Sequence, residues 1–471
     1  NDMKKVLSLI LAALLMLSSS LLFACGEGKT ETGPDTNGIT EENTGTEAAD
    51  DNKETEAGTP AAPADEETKK VDVSAPEFEY VYKAPADGSF KICGTDLSEY
   101  TITAYCPNDK DASRKLMRCI GEDILAATGL EIKVDIAVNK DYLETPQTEH
   151  EILFGADYVR EGMPERAEMD SDYGVTEGGT VYVRSFNNTN YVYMFRLFLE
   201  EFLGYEKDSG VKSSGCDISA FSRKLPEFDL EKLESAGYVL VCEDNFDGDS
   251  LDTDLWDYRG HGKREGGYLI PSQVKVENGE MKIVAQYLEG EEFGDAWYTA
   301  AIALKKWYSH GYFETRMKSS VFADGGDFSS AFWIQGTGPY DAETSRGGAG
   351  PGGAELDIME NFGIHNASCN IWIAGYDGKD GITDEGYHHK DLNNDYTEEF
   401  HTFALLWDED YYRFYYDGVL IACTDFGYGT SSAEEQVIFS LYPDENIGQP
   451  EDTVRTLTAD YIRIWQIPEA D

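Results

Sequence analysis

Residues 352–361 read Gly-Gly-Ala-Glu-Leu-Asp-Ile-Met-Glu-Asn. In a β-strand successive side chains point to opposite faces, so Glu355 and Asp357 share one face while the aliphatic residues between and after them share the other. Such a strand suits an apolar interior behind a polar cleft. Glu360 has the wrong parity, and a β-bulge of one extra residue, most simply at Met359, would return it to the face of Glu355.

Three acids then converge without a basic residue among them. Like charges raise one another's pKa, so the most favourable state keeps a proton on at least one carboxyl group at neutral pH. A retaining glycosidase needs this arrangement, with an ionised nucleophile and a protonated acid about 5–5.5 Å apart. A solvated acidic strand or a calcium site would show the same residues, and these remain the alternatives at this point.

The residues around this strand show the same two-residue period. Turn signals such as Asn278-Gly279 and Asp417-Gly418 separate the apolar-polar runs. The pattern predicts a β-sandwich over residues 236–471. The predicted strands include residues 275–286, 312–318, 329–335, 370–376, 400–407, 411–416, 436–441 and 460–467.

A mixed pattern precedes the sandwich. Residues 78–225 alternate between strand-like and helix-like periods, which predicts a small α+β domain. This segment loosely resembles the α+β accessory domain that precedes the catalytic domain in some hexosaminidases and α-glucuronidases, notably over residues 151–155 and 191–204. The resemblance carries no catalytic residue.

The N-terminal part is typical of an exported protein. Residues 1–25 contain two lysines, an apolar run and a tetrapeptide ending in Cys25 that resembles a bacterial lipobox, so they are expected to be a lipoprotein signal peptide with Cys25 lipidated. A retained transmembrane helix is the alternative, because ~17–25 apolar residues can span a bilayer. Residues 26–77 are polar and acidic and predict a disordered linker.

Composition limits the function further. The 471 residues predict two or three domains, and 38 basic against 90 acidic residues give a net charge of −52, which excludes nucleic acid as a partner. Besides Cys25, seven scattered cysteines show no zinc spacing and are interpreted as mostly buried thiols.

The hexapeptide Glu355-Leu-Asp-Ile-Met-Glu360 resembles the ExDxxE signature of glycoside hydrolase family 16, in the bulged form of laminarinase-like β-glucanases. The resemblance continues in the family's order along the chain. Its further segments are residues 243–248, 251–256, 311–318, 330–333, 401–407, 416–418 and 460–465.

This resemblance implies a concanavalin-like β-jelly-roll of two curved sheets, so the predicted fold is an all-β catalytic domain preceded by the small α+β domain and the disordered tether. It also implies roles for three acids. Glu355 would be the nucleophile, Glu360 the general acid/base, and Asp357 the intervening carboxylate that tunes protonation. No cofactor is expected to be required for catalysis.

Substrate-binding residues are implied by the same resemblance. Trp333 is expected to stack on a sugar ring, and Glu314 and Arg316, which share a face opposite two apolar residues, are placed in the cleft as hydroxyl-binding groups. Trp372 occupies the position of a histidine that is common in the family. A core role for Trp333 and an exposed salt bridge for Glu314 and Arg316 are the alternatives.

A structural calcium on the convex face is known in the family. The resemblance assigns Glu243, Gly279 and Asp460 to that site, so these three residues are the expected calcium positions.

The predicted function is a retaining endo-β-glucanase acting on β-1,3- or mixed β-1,3/1,4-glucan. The alternatives are a non-catalytic glucan-binding lipoprotein and a family 16 hydrolase acting on red-algal galactans; the net charge of −52 argues against sulfated galactans unless local arginines compensate. The protein is expected to be a monomer, tethered to the cell envelope by its lipid anchor and exposed outside the cytoplasmic membrane.

Overall fold

The computed structural model describes a single unit that lies within Lys69–Asp471. The described residues are 71–77, 85–105, 110–137, 147–155, 158–167, 169–185, 187–205, 210, 212–319, 327–336, 353–361, 367–373, 387–389, 399–424 and 430–468.

The α+β part comes first along the chain. Its helices are α1 (Lys110–Thr128) and α2 (Asn190–Leu203), and a short helix, α3 (Leu230–Ser235), leads to the next part. Its strands are β1 (Phe90–Ile92), β2 (Thr95–Asp96), β3 (Thr101–Tyr105), β4 (Lys133–Ala137), β5 (Glu151–Phe154), β6 (Asp172–Val175), β7 (Val181–Arg184), β8 (Cys216–Ile218) and β9 (Phe221–Lys224). They form a six-stranded sheet in the order β4-β3-β5-β7-β6-β9 and a small sheet in the order β2-β1-β8.

The second part is almost entirely β-structure. Its strands are β10 (Val239–Asp244), β11 (Trp256–Tyr258), β12 (Gly262–Arg264), β13 (Gly267–Leu269), β14 (Val274–Glu277), β15 (Glu280–Glu291), β16 (Gly294–Leu304), β17 (Gly311–Ser319), β18 (Phe328–Gln335), β19 (Ala354–Asn361), β20 (Ala367–Ile373), β21 (Tyr387–His389), β22 (His401–Trp407), β23 (Tyr412–Tyr416), β24 (Val419–Thr424), β25 (Gln436–Pro443) and β26 (Val454–Gln466).

Two curled sheets build this part. We call the first the acid sheet; its strands follow the order β11-β16-β25-β18-β19-β20-β21, and all its pairs are antiparallel. The second, the back sheet, contains β24-β23-β22-β17-β26, and β26 also pairs with β10 and β15. The long strand β16 takes part in both sheets. This confirms the predicted jelly-roll preceded by a small α+β domain.

The apolar core lies between the two sheets. Phe313 and Met317 enter it from β17, and Phe332, Leu356 and Ile358 enter it from the acid sheet. All five side chains are almost completely buried. Burial of this kind contributes about 1.5–3 kcal/mol for each large apolar side chain. The alternate residues of the same strands therefore face away from the core, on the outer face of each sheet.

The outer face of the back sheet is also covered. Tyr312, Leu406, Tyr415 and Trp465 belong to the core cluster of the α+β part, together with residues of α2. Phe228, just before α3, stacks on Tyr312 with ring centroids 4.1 Å apart and an interplanar angle of 8°. Because both faces of β22 and β23 are buried, these two strands are nearly continuous apolar runs.

Residues 71–77 are packed against both parts. Val73, Ser74 and Ala75 are buried, Tyr193 donates to Asp72 Oδ2 over 3.0 Å, and Lys232 Nζ donates to the Ala75 carbonyl over 2.9 Å. The sequence-based boundary of the linker at residue 77 was therefore wrong at this end, because two buried apolar side chains and these hydrogen bonds dock a segment that is polar on average.

We predict that Arg413→Ala destabilises the fold by about 3–5 kcal/mol, because it would leave the buried carboxylate of Asp408 without its cation. The buried Arg413 guanidinium lies 2.7 Å from Asp408 and 3.4 Å from Asp72. Urea unfolding followed by tryptophan fluorescence measures the effect. Arg463→Ala is the matched control, since its ion pair with Glu243 is partly exposed and should contribute about 0–1 kcal/mol. Equal losses in the two variants would contradict the prediction.

Candidate active site

A β-bulge in β19 sets the geometry of the site. On β18, Trp333 pairs with Asp357 and the next residue back, Phe332, pairs with Met359, so Ile358 has no partner in that register. The extra residue therefore lies one position before the predicted Met359. Both residues of the bulge are buried in the core. After it, the outward parity is reversed, as the sequence required for Glu360.

The three predicted acids occupy one row each on the outer face of the acid sheet. Glu355 lies opposite Gln335, Asp357 opposite Trp333, and Glu360 opposite Ala331. Ala331 and Trp333 form a small apolar cluster of their own, separate from the main core. Its other members are Ala303 and Ile438, from the neighbouring strands β16 and β25. The structure thus brings Glu355, Asp357 and Glu360 to the edge of an apolar floor that lies outside the sandwich core.

Glu355 is held by a specific hydrogen bond. Gln335 Nε2 donates to Glu355 Oε2 over 2.5 Å, and Arg259 donates to the oxygen of the same amide. Burial raises the pKa of the Glu355 carboxyl, while the hydrogen bond from Gln335 and the positive charges of Arg259 and Arg264 act in the opposite direction. The chain Arg259–Gln335–Glu355 therefore favours the ionised form of an otherwise desolvated carboxyl.

Trp333 lies on the floor beside Asp357. Its indole nitrogen donates to Ser440 Oγ over 3.1 Å, and only 7% of the residue is exposed. The Arg259 guanidinium carbon lies 4.7 Å from the centroid of its ring. Stacking of Trp333 on a sugar stays a prediction, and in this conformation Arg259 covers the ring.

Sequence reasoning missed a basic segment at the rim of the site. Residues 259–264 read Arg-Gly-His-Gly-Lys-Arg. They follow β11, which pairs with β16, and end in β12. Arg264 lies over Tyr442, with its guanidinium carbon 5.1 Å from the ring centroid. This segment could have been located from the sequence. It has two arginines, a lysine and a histidine within six residues, in a chain whose net charge is −52.

The placement of Glu314 and Arg316 in the cleft was wrong. Both lie on β17 of the back sheet and share the outer face of Tyr312, whereas the acids lie on the acid sheet across the core. Glu314 accepts from the hydroxyls of Tyr312 and Tyr461, and Arg316 pairs with Asp460 over 2.6 Å. The prediction that Glu314 and Arg316 point away from the core was correct. Alternation along a strand does not tell which of the two sheets carries the cleft.

Trp372 lies on β20 as the register partner of Glu355. Its side chain is outside the part of the chain whose side chains the structure describes, so its binding role stays a prediction.

The predicted calcium positions do not fit a metal ion. The Asp460 carboxylate is bound by Arg316, and Glu243 is bound by Arg463 Nε over 2.8 Å. Gly279 is in the turn between β14 and β15, with a φ of +77°. Two guanidinium groups thus occupy the acidic ligands that calcium would need. Within the described ranges no group of three or more His, Cys, Asp or Glu residues could hold a metal.

A curled two-sheet jelly-roll with a bulged strand that carries three acids on its outer face fits a glycoside hydrolase. Residues 239–467, which run from the start of β10 to the end of β26, match the family model "Beta-porphyranase A-D, GH16 domain". This part of the chain is a domain of glycoside hydrolase family 16, and the protein is a glycoside hydrolase of the glucanase or galactanase type.

The individual proteins that this chain resembles share between 24% and 32% of their residues with it. Beta-porphyranase B of Phocaeicola plebeius is 29% identical over 237 residues, which are 41% of this chain and 71% of that protein. A beta-glucanase of Acetivibrio thermocellus is 32% identical over 150 residues, 31% of this chain and 38% of that protein. The catalytic domain of an endo-1,3-beta-glucanase from Thermotoga petrophila is 24% identical, with 49% of this chain and 98% of that one covered and a TM-score of 0.39.

We predict that Gln335→Met shifts the acidic limb of the pH profile of kcat/KM to higher pH. The hydrogen bond from Gln335 lowers the pKa of Glu355, so its loss raises that pKa and fewer molecules hold an ionised Glu355 at acidic pH. Initial rates between about pH 4 and pH 8 measure the shift. Gln466→Met, on β26 of the back sheet, is the control; an unchanged acidic limb in Gln335→Met would contradict the role assigned to this hydrogen bond.

Proposed function

We propose that the protein is an endo-acting hydrolase that cleaves a sulfated red-algal galactan of the porphyran type with retention of configuration. The observation that carries this proposal is the pair of arginines, Arg259 and Arg264, beside an acid strand that has the family's signature. The matched family model and the first relative both bear the name of beta-porphyranases, which supports the same substrate class.

The mechanism is derived from the roles of the acids. Glu355 attacks the anomeric carbon as the nucleophile, and Glu360 donates its proton to the leaving oxygen. A glycosyl-enzyme ester forms, and water, deprotonated by Glu360, then releases the sugar with its original configuration. Asp357 lies between them on the same strand and, at 3% exposure, disfavours a second negative charge nearby. The bulge supports this proposal because it reverses the outward parity between Glu355 and Glu360.

Local charge supports a sulfated substrate. An arginine presents a planar fork of donors that matches an oxyanion, and its charge is permanent at all relevant pH values. Arg264 is about half exposed, and its ion pair with the neighbouring Glu265 joins two surface side chains. Its guanidinium can therefore turn toward a sulfate at little cost. The net charge of the chain argued against such a polymer, but the residues that line the site are what the substrate meets.

A β-1,3- or mixed-linkage β-glucan is the second candidate substrate. The 32% identity to a beta-glucanase and the bulged form of the acid signature favour it. A neutral glucan would not need Arg264, since hydroxyl groups can be bound without a permanent charge.

Substrate panels with wild type and Arg264→Met test the choice between the two. We expect release of reducing sugar from porphyran above that from laminarin and lichenan, and a fall of about tenfold or more in kcat/KM on porphyran in the variant, since a hydrogen bond to a charged group contributes ~1.5–3 kcal/mol. Arg463→Met, on β26 of the back sheet, is the matched control. Preference for laminarin, with no effect of Arg264→Met, would assign the β-glucan instead.

The catalytic roles predict a graded series. Glu355→Gln and Glu360→Gln should each lower kcat by about 10³-fold or more, because one removes the nucleophile and the other the proton donor. Asp357→Asn should cost less, because it changes a proton affinity without removing a reacting group. Turnover of the preferred polysaccharide measures the series, with circular dichroism to verify that each variant is folded.

The stereochemistry of the product checks the mechanism independently. Proton NMR of the first product should show the β-anomer. An initial α-anomer would contradict double displacement, and near-normal turnover in either glutamine variant would contradict the assignment of that residue.

We also propose that the protein is exported and anchored to the cell envelope through lipidated Cys25. The lipobox-like tetrapeptide and the acidic segment after it support this proposal. Within the ranges that the structure describes, no helix is long and apolar enough to cross a membrane. We expect Cys25→Ala to move the protein from the membrane fraction to the soluble fraction of cells. Retention of that variant in the membrane would indicate an uncleaved helix instead.

A further inference from the structure

A fully buried carboxyl group, that of Glu435, contacts the first residue of β19. Glu435 precedes β25, is 0% exposed, and accepts a hydrogen bond from the Ala354 amide through Oε1 over 2.7 Å. Ala354 is the residue immediately before Glu355 on β19. Glu435 therefore contacts the backbone one residue away from the nucleophile, from the core side of the sheet.

The surrounding backbone fixes this contact. Residue 435 exchanges two backbone hydrogen bonds with Tyr308, at 2.8 and 2.9 Å. Gly353 has a φ of +81°, and a Cβ at this position would lie 2.7 Å from Glu435 Oε1. The Ala354 carbonyl accepts from the Gly336 amide over 2.8 Å. Both polar backbone groups of Ala354 are thus hydrogen-bonded: the carbonyl accepts from Gly336, just after β18, and the amide donates to the side chain of Glu435.

The contact between Glu435 and Ala354 is next to three residues that pair across neighbouring strands and end at Glu355. Gln436, the residue after Glu435, pairs with Gln335 across β25 and β18. Gln335 in turn pairs with Glu355 and donates to its carboxylate. A shift of the first residue of β19 would change the distance in this last hydrogen bond directly.

The carboxyl is mainly in its neutral form near neutral pH. Burial raises the pKa of Glu435 to about 8, against the opposing hydrogen bonds from Ser431 and Ala354. Because the carboxyl is neutral, a glutamine would reproduce both its length and its acceptor oxygen. If the Glu435 side chain contributed only packing, an apolar residue of the same size would replace it without loss.

We propose that Glu435 is a positioning residue for the nucleophile: its carboxyl oxygen fixes the first amide of β19 and so holds Glu355 beside Gln335. The proposal rests on the nucleophile role of Glu355 proposed above. A displacement of about 1 Å in a reacting group can reduce the rate by about 10²-fold, so the loss of this contact should affect the chemical step.

Two substitutions of equal length separate positioning from packing. Glu435→Gln keeps the acceptor and should keep kcat within about twofold of wild type, whereas Glu435→Met lacks it and should lower kcat by about 10–100-fold. KM should change by less than about threefold, because the substrate-facing groups are intact. Rates on the polysaccharide that wild type hydrolyses best are divided by the folded fraction from circular dichroism.

Controls distinguish the failure of this proposal from the failure of the proposed function. Glu151→Met removes another buried carboxyl, which pairs with Arg160 in the α+β part, and should lower stability but not kcat of the folded enzyme. Glu355→Gln should be inactive; if it is active, the nucleophile assignment fails before Glu435 is tested. A normal kcat in folded Glu435→Met, or an equal loss in Glu435→Gln, would overturn the positioning role.

A second variant covers the case in which Glu435→Met does not fold. Gly353→Ala places a Cβ 2.7 Å from Glu435 Oε1 and 2.9 Å from Gly336 Cα, so it disturbs the same hydrogen bond, together with the adjoining backbone, without changing the acid. It should also lower kcat with little change in KM. Unchanged kcat in Gly353→Ala would overturn the proposal on its own.

Discussion

The strand β19 must satisfy two requirements that regular alternation cannot meet together. Its apolar residues have to fill the core, and three carboxylates, from Glu355 to Glu360, have to reach the opposite face. A regular strand would turn Glu360 into the core, where an ionised carboxylate is strongly disfavoured. The additional residue at Ile358 solves both problems, since it is itself buried and reverses the parity of the residues after it.

The outer faces of the two sheets differ in their surroundings. Tyr312, Leu406 and Tyr415 point away from the sandwich core, yet they are buried against the α+β part. Asp72 connects the two parts, because its carboxylate accepts from Tyr193 of α2 and pairs with the buried Arg413 of β23. The α+β part therefore covers part of the outer face of the back sheet, whereas Arg316 and Asp460 on that face stay partly exposed. The acids and the basic segment meet on the outer face of the acid sheet.

Much of this could be predicted from the sequence, because each strand carries its own period and the acid signature is local. The presence of a bulge and the direction of the acids were correct for this reason, although the extra residue is Ile358 and not the predicted Met359. The sheet that carries Glu314 and Arg316 could not be predicted, because their outward parity is the same on either sheet. The docking of residues 71–77 was missed because it depends on partners, such as Tyr193 and Tyr415, that are distant along the chain.

Charge has to be considered at the scale over which it acts. At physiological ionic strength the Debye length is about 8 Å, so exposed acids elsewhere on the molecule contribute little to the potential at the site. Arg259 and Arg264 act on Glu355 directly, and Arg259 is joined to it through Gln335. The same guanidinium groups that favour an ionised Glu355 can thus also attract an anionic group on the proposed substrate. A net charge of −52 describes the whole chain and not the cleft, and the selectivity of the site depends on the few charges within one Debye length of Glu355.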